Sequence, residues 1–165
     1  YGRKAEWRSS VRVHILPWHG FQRSMIAFLL HNGFESEIAT LEKKRMRNIR
    51  KSLEGFQHVC EIHFHPTTPQ RRISPGKLHR VTQNSDWTMW KTELPIIHSD
   101  LRPNQYPRIW FAQSGATIAF LCIGVHGDNY DDGEMDRLAM ERVAGMFWER
   151  HSKRTPLSQT KTLFI

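Results

Sequence analysis

The sequence predicts an α+β domain in the order β-α-α-β-β-β-α, with a helical hairpin packed on one face of an antiparallel sheet. Three observations carry this expectation. Short runs in which apolar and polar residues alternate mark strands in both halves of the chain. Two neighbouring segments with apolar residues at helical spacing are joined by only a few residues around Asn32-Gly33. A last segment combines helical spacing with an acidic start and a basic end, the polarity a helix dipole favours.

The first strand is read at Val11 to Trp18 (VRVHILPW), where Val11, Val13 and Ile15 share one face before Pro17 interrupts the run. From His19 to His31, Phe21, Met25, Phe28 and Leu29 fall on one helical face, and Asn32-Gly33 stops the helix. A second helix is read from Glu35 to Leu53, with Ile38, Leu41, Met46, Ile49 and Leu53 inward and Gly55 just past its end. The stretch from Gln57 to Lys77 contains HVCEIHFHP and then TTPQRRISPGK, a loop rich in Pro, Thr and Ser.

Three β-like runs follow: Asp86 to Ile97 (DWTMWKTELPII), Tyr106 to Gln113 (YPRIWFAQ) and Ala116 to Val125 (ATIAFLCIGV). Ser114-Gly115 between the last two is a compact hairpin turn. In the first run, period two places Trp87, Met89, Lys91 and Glu93 on one side and Thr88, Trp90, Thr92 and Leu94 on the other. The last helix is read from Asp132 to Arg150, with Met135, Leu138, Arg142, Val143, Met146 and Phe147 at helical spacing. Residues 1–154 are expected to form one domain, followed by a polar tail over 155–165.

The composition narrows the class. A chain of 165 residues with 39% hydrophobic and 24% charged residues can bury its own core and is not of the disordered type. Lys and Arg number 24 against 16 Asp and Glu, and the resulting +8 attracts polyanions, nucleic acid foremost. Cys60 and Cys122 are too few for a disulfide framework and suit a reducing compartment. No apolar run reaches the ~20 residues that span a bilayer, so a cytoplasmic protein without a membrane partner is expected. There is no P-loop, no dinucleotide fingerprint and no nucleophile elbow around Ser114.

Residues Leu78 to Arg142 resemble the RelE-like family of bacterial toxins, whose frame is a strand, a helical hairpin and a terminal set of strands. The matching pieces are Trp90-Lys91-Thr92-Glu93-Leu94, Leu101-Arg102, Arg108-Ile109-Trp110-Phe111, Gly115, Ile118-Ala119-Phe120-Leu121 and Gly124-Val125-His126. Gln57 to Lys77 has no counterpart in that frame and reads as an insertion; the helix after His126 is also additional. The resemblance implies a metal-independent endoribonuclease without cofactor. Its partners would be messenger RNA, the ribosome with its rRNA, and a cognate antitoxin protein, with no small-molecule substrate.

Cutting RNA in this way requires a base for the 2′-hydroxyl, cations for the phosphorane and a proton for the leaving oxygen. His126, at the end of an apolar run, is the first candidate proton carrier, and Tyr130 in HGDNY could stack on a base or donate a proton. Arg108 and Arg102 offer planar forks for a phosphate. Lys91 and Glu93 on one strand face could be a catalytic pair or a plain ion pair. Lys43, Lys44, Arg47, Arg50 and Lys51 could contact RNA phosphates, or form a solvated helix face. His58, Cys60, His63 and His65 include potential zinc ligands, but their spacing matches no strong zinc signature, so a structural role is favoured. Two alternatives share the scaffold or the charge: a gyrase-poisoning toxin without RNase activity, and a non-catalytic module that binds RNA or protein.

Overall fold

The apolar run ATIAFLCIGV dictates the centre of the molecule, because a strand with no polar face must be covered on both sides. In the structure, a computed structural model that describes residues 11–12, 25–125 and 132–146, this run is the strand Thr117–Gly124, six of whose eight residues are buried. In chain order the described elements are β1 (Val11–Arg12), β2 (Ala27–His31), α1 (Asn32–Lys44), α2 (Ile49–His63), β3 (His79–Gln83), β4 (Thr88–Glu93), β5 (Arg108–Ser114), β6 (Thr117–Gly124) and α3 (Asp132–Ala144). The strands form one mixed sheet in the order β1-β2-β6-β5-β4-β3. Only the β2–β6 pair is parallel among the described strands.

Both sheet faces are covered. On one, α1 and α2 contribute Phe34, Ile38, Leu41, Ile49, Leu53 and Phe56 to a core that meets Leu30, Ile109, Phe111, Ile118 and Phe120 of the strands. Phe120 is its hub, with the rings of Phe28, Phe34, Phe56 and Phe111 centred 5.5 to 6.3 Å away. On the other face, Ala139, Val143 and Met146 pack on Leu29, Trp87, Met89, Trp110, Ala112 and Leu121. The two cysteines are free and buried, one in each core, and burial pushes both thiols well above their ordinary range. No helix among the described residues is long and apolar enough to cross a membrane.

The α+β class is therefore present, with corrections. The sheet is mixed rather than antiparallel, and α3 adds a layer opposite the hairpin. The segment expected to be helical through His31 is a strand over Ala27–His31, paired with β1 on one side and β6 on the other. Its Leu29 enters one core and its Leu30 the other, so a run without alternation is what that position requires. The helix read from Glu35 to Leu53 is two helices, broken at residues 45–48 where Met46 is buried in the corner. The second runs through Gly55 to His63, so Gly55 is mid-helix and exposed rather than a cap. Part of the stretch read as loop is thus helix, and β3 was not foreseen. The expected strands at Asp86–Ile97, Tyr106–Gln113 and Ala116–Val125 are β4, β5 and β6, with Gly115 at φ +56° in the hairpin turn where its missing Cβ permits that angle.

An ion pair finishes what β2 leaves undone. The β2–β6 ladder ends at Leu30 and Phe120, because the chain then turns into α1. The next two groups on that edge of β6 are taken by side chains: Arg142 Nη1 donates to the Leu121 carbonyl at 2.7 Å, and the Ile123 N–H donates to Glu37 Oε2 at 3.0 Å. Arg142 Nη2 and Glu37 Oε1 meet at 2.8 Å, joining α3 to α1 across the gap. Gly33 lies under the guanidinium, where an added Cβ would clash with Arg142 Nη2. Burial raises the Glu37 carboxyl above its ordinary value, and Arg142 together with the Ile123 N–H pulls it partly back.

Candidate functional site

Cross-strand register gathers the cations. Lys91 on β4 stands opposite His79 on β3 and Trp110 on β5, and Glu93 stands opposite Arg108. Directly opposed residues share a face, so Lys91, Glu93, Arg108 and Trp110 all belong to the α3 side. There the first two turns of α3 present Asp132 and Asp136, four residues apart on one helix face. Arg108 Nη1 donates to Asp132 Oδ2 at 2.5 Å, and Lys91 Nζ lies 3.4 Å from Asp132 Oδ2 and 3.3 Å from Asp136 Oδ1. Trp110 Nε1 donates to Asp136 Oδ1 at 2.7 Å, while the Lys91 ammonium sits 5.9 Å from the centre of the Trp110 ring. Asp132 Oδ1 is buried and accepts no hydrogen bond among the described residues.

Between β3, β4 and the start of β5 lies a hollow of about 170 Å³, lined by Gly76, Lys77, His79, Lys91, Thr92, Glu93 and Arg108. It is smaller than the ~300–1,000 Å³ of sites for whole drug-sized ligands, and fits a group such as a phosphate. Lys77 and His79 are exposed on its rim, whereas Lys91 and Arg108 side chains keep only 18% and 28% of their surface. The hollow can therefore receive an anion from solvent against two largely desolvated cations. It also holds a carboxylate, Glu93, and the imidazole of His79, whose ring nitrogens can donate or accept a hydrogen bond.

Of the residues singled out from the sequence, Lys91 and Arg108 come together here. The carboxylate partners of Lys91 are Asp132 and Asp136, so the expected pairing with Glu93 is replaced by one with α3. His126 and Tyr130 lie outside the described residues. Arg102 is elsewhere, exposed at the head of the short 3-10 turn Pro103–Gln105, where its N–H donates to Gln105 Oε1. On the basic helices, Lys43, Lys44, Arg47 and Lys51 are exposed, while Arg50 is held at 2.8 Å by both Glu35 and Glu42. Sequence reasoning missed His79, Lys77, Asp132 and Asp136 as site groups. The acids were visible as a favourable helix start, and only the fold shows that they reach β4 and β5.

The His58, Cys60, His63 and His65 cluster is taken apart by the structure. Cys60 is in the hairpin core, and His58 pairs with Glu61 at 3.6 Å. His63 Nδ1 accepts from the N–H groups of Arg72 and Ile73 at 3.0 and 3.1 Å, and His65 Nδ1 accepts from those of Thr67 and Thr68 at 3.3 and 3.0 Å. Two imidazoles thus shape the segment after α2 by accepting from its backbone. Among the described residues no three His, Cys, Asp or Glu side chains are grouped to hold a metal ion. Comparison with protein-family models, with curated proteins and with solved structures finds no match.

Proposed function

We propose that this chain is an RNA-cleaving toxin of the RelE-like type, which attacks a phosphodiester with the adjacent 2′-hydroxyl and uses its own cations for the charge. The observation that carries the reading is the hollow in which Lys91, Arg108, Lys77 and His79 converge beside Glu93. Lys91 and Arg108 would stabilise the phosphorane, where removal from water makes each interaction stronger. Glu93 or His79 would take the 2′-proton, and an imidazole would return one to the leaving 5′-oxygen. His126 follows β6 and remains a candidate for that second role. Messenger RNA on the ribosome as substrate and an antitoxin protein as inhibitor belong to the same proposal, as does a cytoplasmic location.

The test is induced expression followed by mapping the 5′ ends of cellular transcripts. Discrete cuts inside reading frames, lost in Lys91→Gln/Arg108→Gln and in His79→Ala variants that keep the wild-type melting curve, are the expected result. Intact transcripts alongside growth arrest would reject the nuclease.

A second reading is favoured by one observation. Asp132 and Asp136 already neutralise Arg108 and Lys91, as they would if this network served only to fasten α3 to the sheet. The toxin would then act by binding alone, on RNA or on a protein such as gyrase. Salt-sensitive RNA binding without a cleavage product, or inhibition of gyrase, distinguishes these outcomes.

A further inference from the structure

A second and larger hollow, of about 540 Å³, lies where the α1–α2 corner meets the loop that follows β4. Its wall carries Arg45, Arg47 and His98, together with Asn48, Asp100 and Gln105. Both arginines are exposed, and neither is ion-paired to a described residue, in contrast to Arg50 a few residues on in the same basic stretch. An exposed guanidinium with no carboxylate partner keeps its whole fork of donors for an incoming anion.

The loop opposite is fixed. Asn48 Nδ2 donates to the carbonyls of Ile97 and His98 at 3.2 and 3.4 Å, the Ile97 N–H donates to Ser52 Oγ at 3.0 Å, and Ser99 Oγ donates to the Ile96 carbonyl at 2.8 Å. These bonds hold His98 at φ +49°, the one described non-glycine residue in the left-handed region, with its ring exposed on the rim. The arrangement is thus preformed: two forks on one wall and a flat ring on the other. Histidine is among the side chains on which unpaired RNA bases stack. Asp100 has the wrong sign for a phosphate and the right one for a base amino group.

The two hollows are joined along the chain. Glu93 lines the first and Ile96 the second, and three residues of chain span at most ~11 Å. We propose that the hollow at the α1–α2 corner is a second subsite for single-stranded RNA. Arg45 and Arg47 hold a backbone phosphate of the strand, and His98 supports a base. The inference rests on RNA as the ligand and is independent of whether RNA is cut.

The test measures binding of a labelled 2′-O-methyl RNA of about ten nucleotides, which cannot be cleaved by 2′-attack, over a range of salt concentrations. Each phosphate contact to a single strand contributes about 0.7 to the slope of log K against log salt, so Arg45→Ala/Arg47→Ala, which frees one phosphate, should flatten the slope by about 0.7. Affinity near 0.1 M salt should fall about tenfold. His98→Ala should weaken binding without changing the slope, and Arg137→Ala, which removes an exposed cation from α3, should do neither.

An unchanged slope in Arg45→Ala/Arg47→Ala, with wild-type RNA binding intact, overturns the subsite and leaves the nuclease reading standing. A flattened slope in a protein whose induction leaves cellular transcripts uncut supports the subsite and rejects the nuclease. Absence of RNA binding by the wild-type protein overturns both.

Discussion

Replacing Arg142 with alanine tests the claim that side chains complete the β6 ladder. Arg142 and Glu37 side chains retain 14% and 25% of their surface, so water screens the pair only in part. The substitution removes a charge-assisted bond to the Leu121 carbonyl and leaves Glu37 as a poorly solvated anion whose remaining donor is the Ile123 N–H. Breaking a fully buried pair costs about 3–5 kcal/mol; allowing for partial exposure, a loss of about 3 kcal/mol is expected. For a chain of this size that corresponds to a fall of roughly 6–12 °C in Tm.

The assay is urea unfolding followed by tryptophan fluorescence, with Arg142→Ala, Glu37→Ala and the double variant forming a cycle. A coupling above about 1 kcal/mol is expected. The pH dependence has a definite sign. Burial already raises the Glu37 carboxyl, and loss of Arg142 removes the largest opposing influence. The folded variant then binds a proton more tightly than the unfolded chain, so its stability is greatest at low pH and declines as pH rises through the raised value. The deficit relative to wild type should shrink as pH falls from the raised value toward the ordinary carboxylate range. Single variants that each cost under about 0.5 kcal/mol, or a deficit independent of pH, would refute the reasoning.

Further outcomes follow from neighbouring contacts. Gly33→Ala should destabilise by about 1–2 kcal/mol although alanine is the better helix former, because its Cβ meets the Arg142 guanidinium; calorimetry checks it, and a stabilised variant would contradict the packing. His31 caps α1 by accepting from the Gly33 N–H at 3.0 Å, and burial, then Arg142, holds its imidazole below the ordinary value. That contribution is present above about pH 6.5 and is lost as pH falls toward the lower folded value, with a slope of at most ~1.4 kcal/mol per pH unit. His31→Asn, which can keep the acceptor and cannot titrate, should flatten this acid limb in urea midpoints measured across the range. Asp132→Asn should raise RNA affinity, because the carboxylate competes with phosphate for Arg108 and Lys91; a gel-shift titration in which affinity falls would contradict this.

The sequence made some of this arrangement legible and hid the rest for physical reasons. The three late strands stood out because turns bound them and because Lys91 and Arg108 interrupt apolar faces. The tryptophans on both sides of β4 blurred its alternation because both sides are covered: Trp87 packs under α3 and Trp90 against the hairpin core. Ala27–His31 was misread since a short apolar run satisfies helix and buried-strand spacing equally. The corner between α1 and α2 contains neither Gly nor Pro, and Met46 and Ile49 fit a continuous helix as well as a broken one. The union of Asp132 and Asp136 with the cations could not be foreseen, because it depends on α3 crossing strands 24 to 45 residues away in the chain.

The parallel β2–β6 pair also determines when the molecule can form. Ala27 of β2 must wait for Thr117 of β6, with the hairpin and three other strands made in between. Contacts so distant along the chain are slow to close, and nothing earlier in synthesis can substitute for them. During that interval Phe28, Leu29 and Leu30 are without their central neighbour, and the hairpin lacks Phe120 to settle on. A nascent chain stopped before β6 should accordingly remain protease-sensitive, and one extended past it should become resistant in a single step.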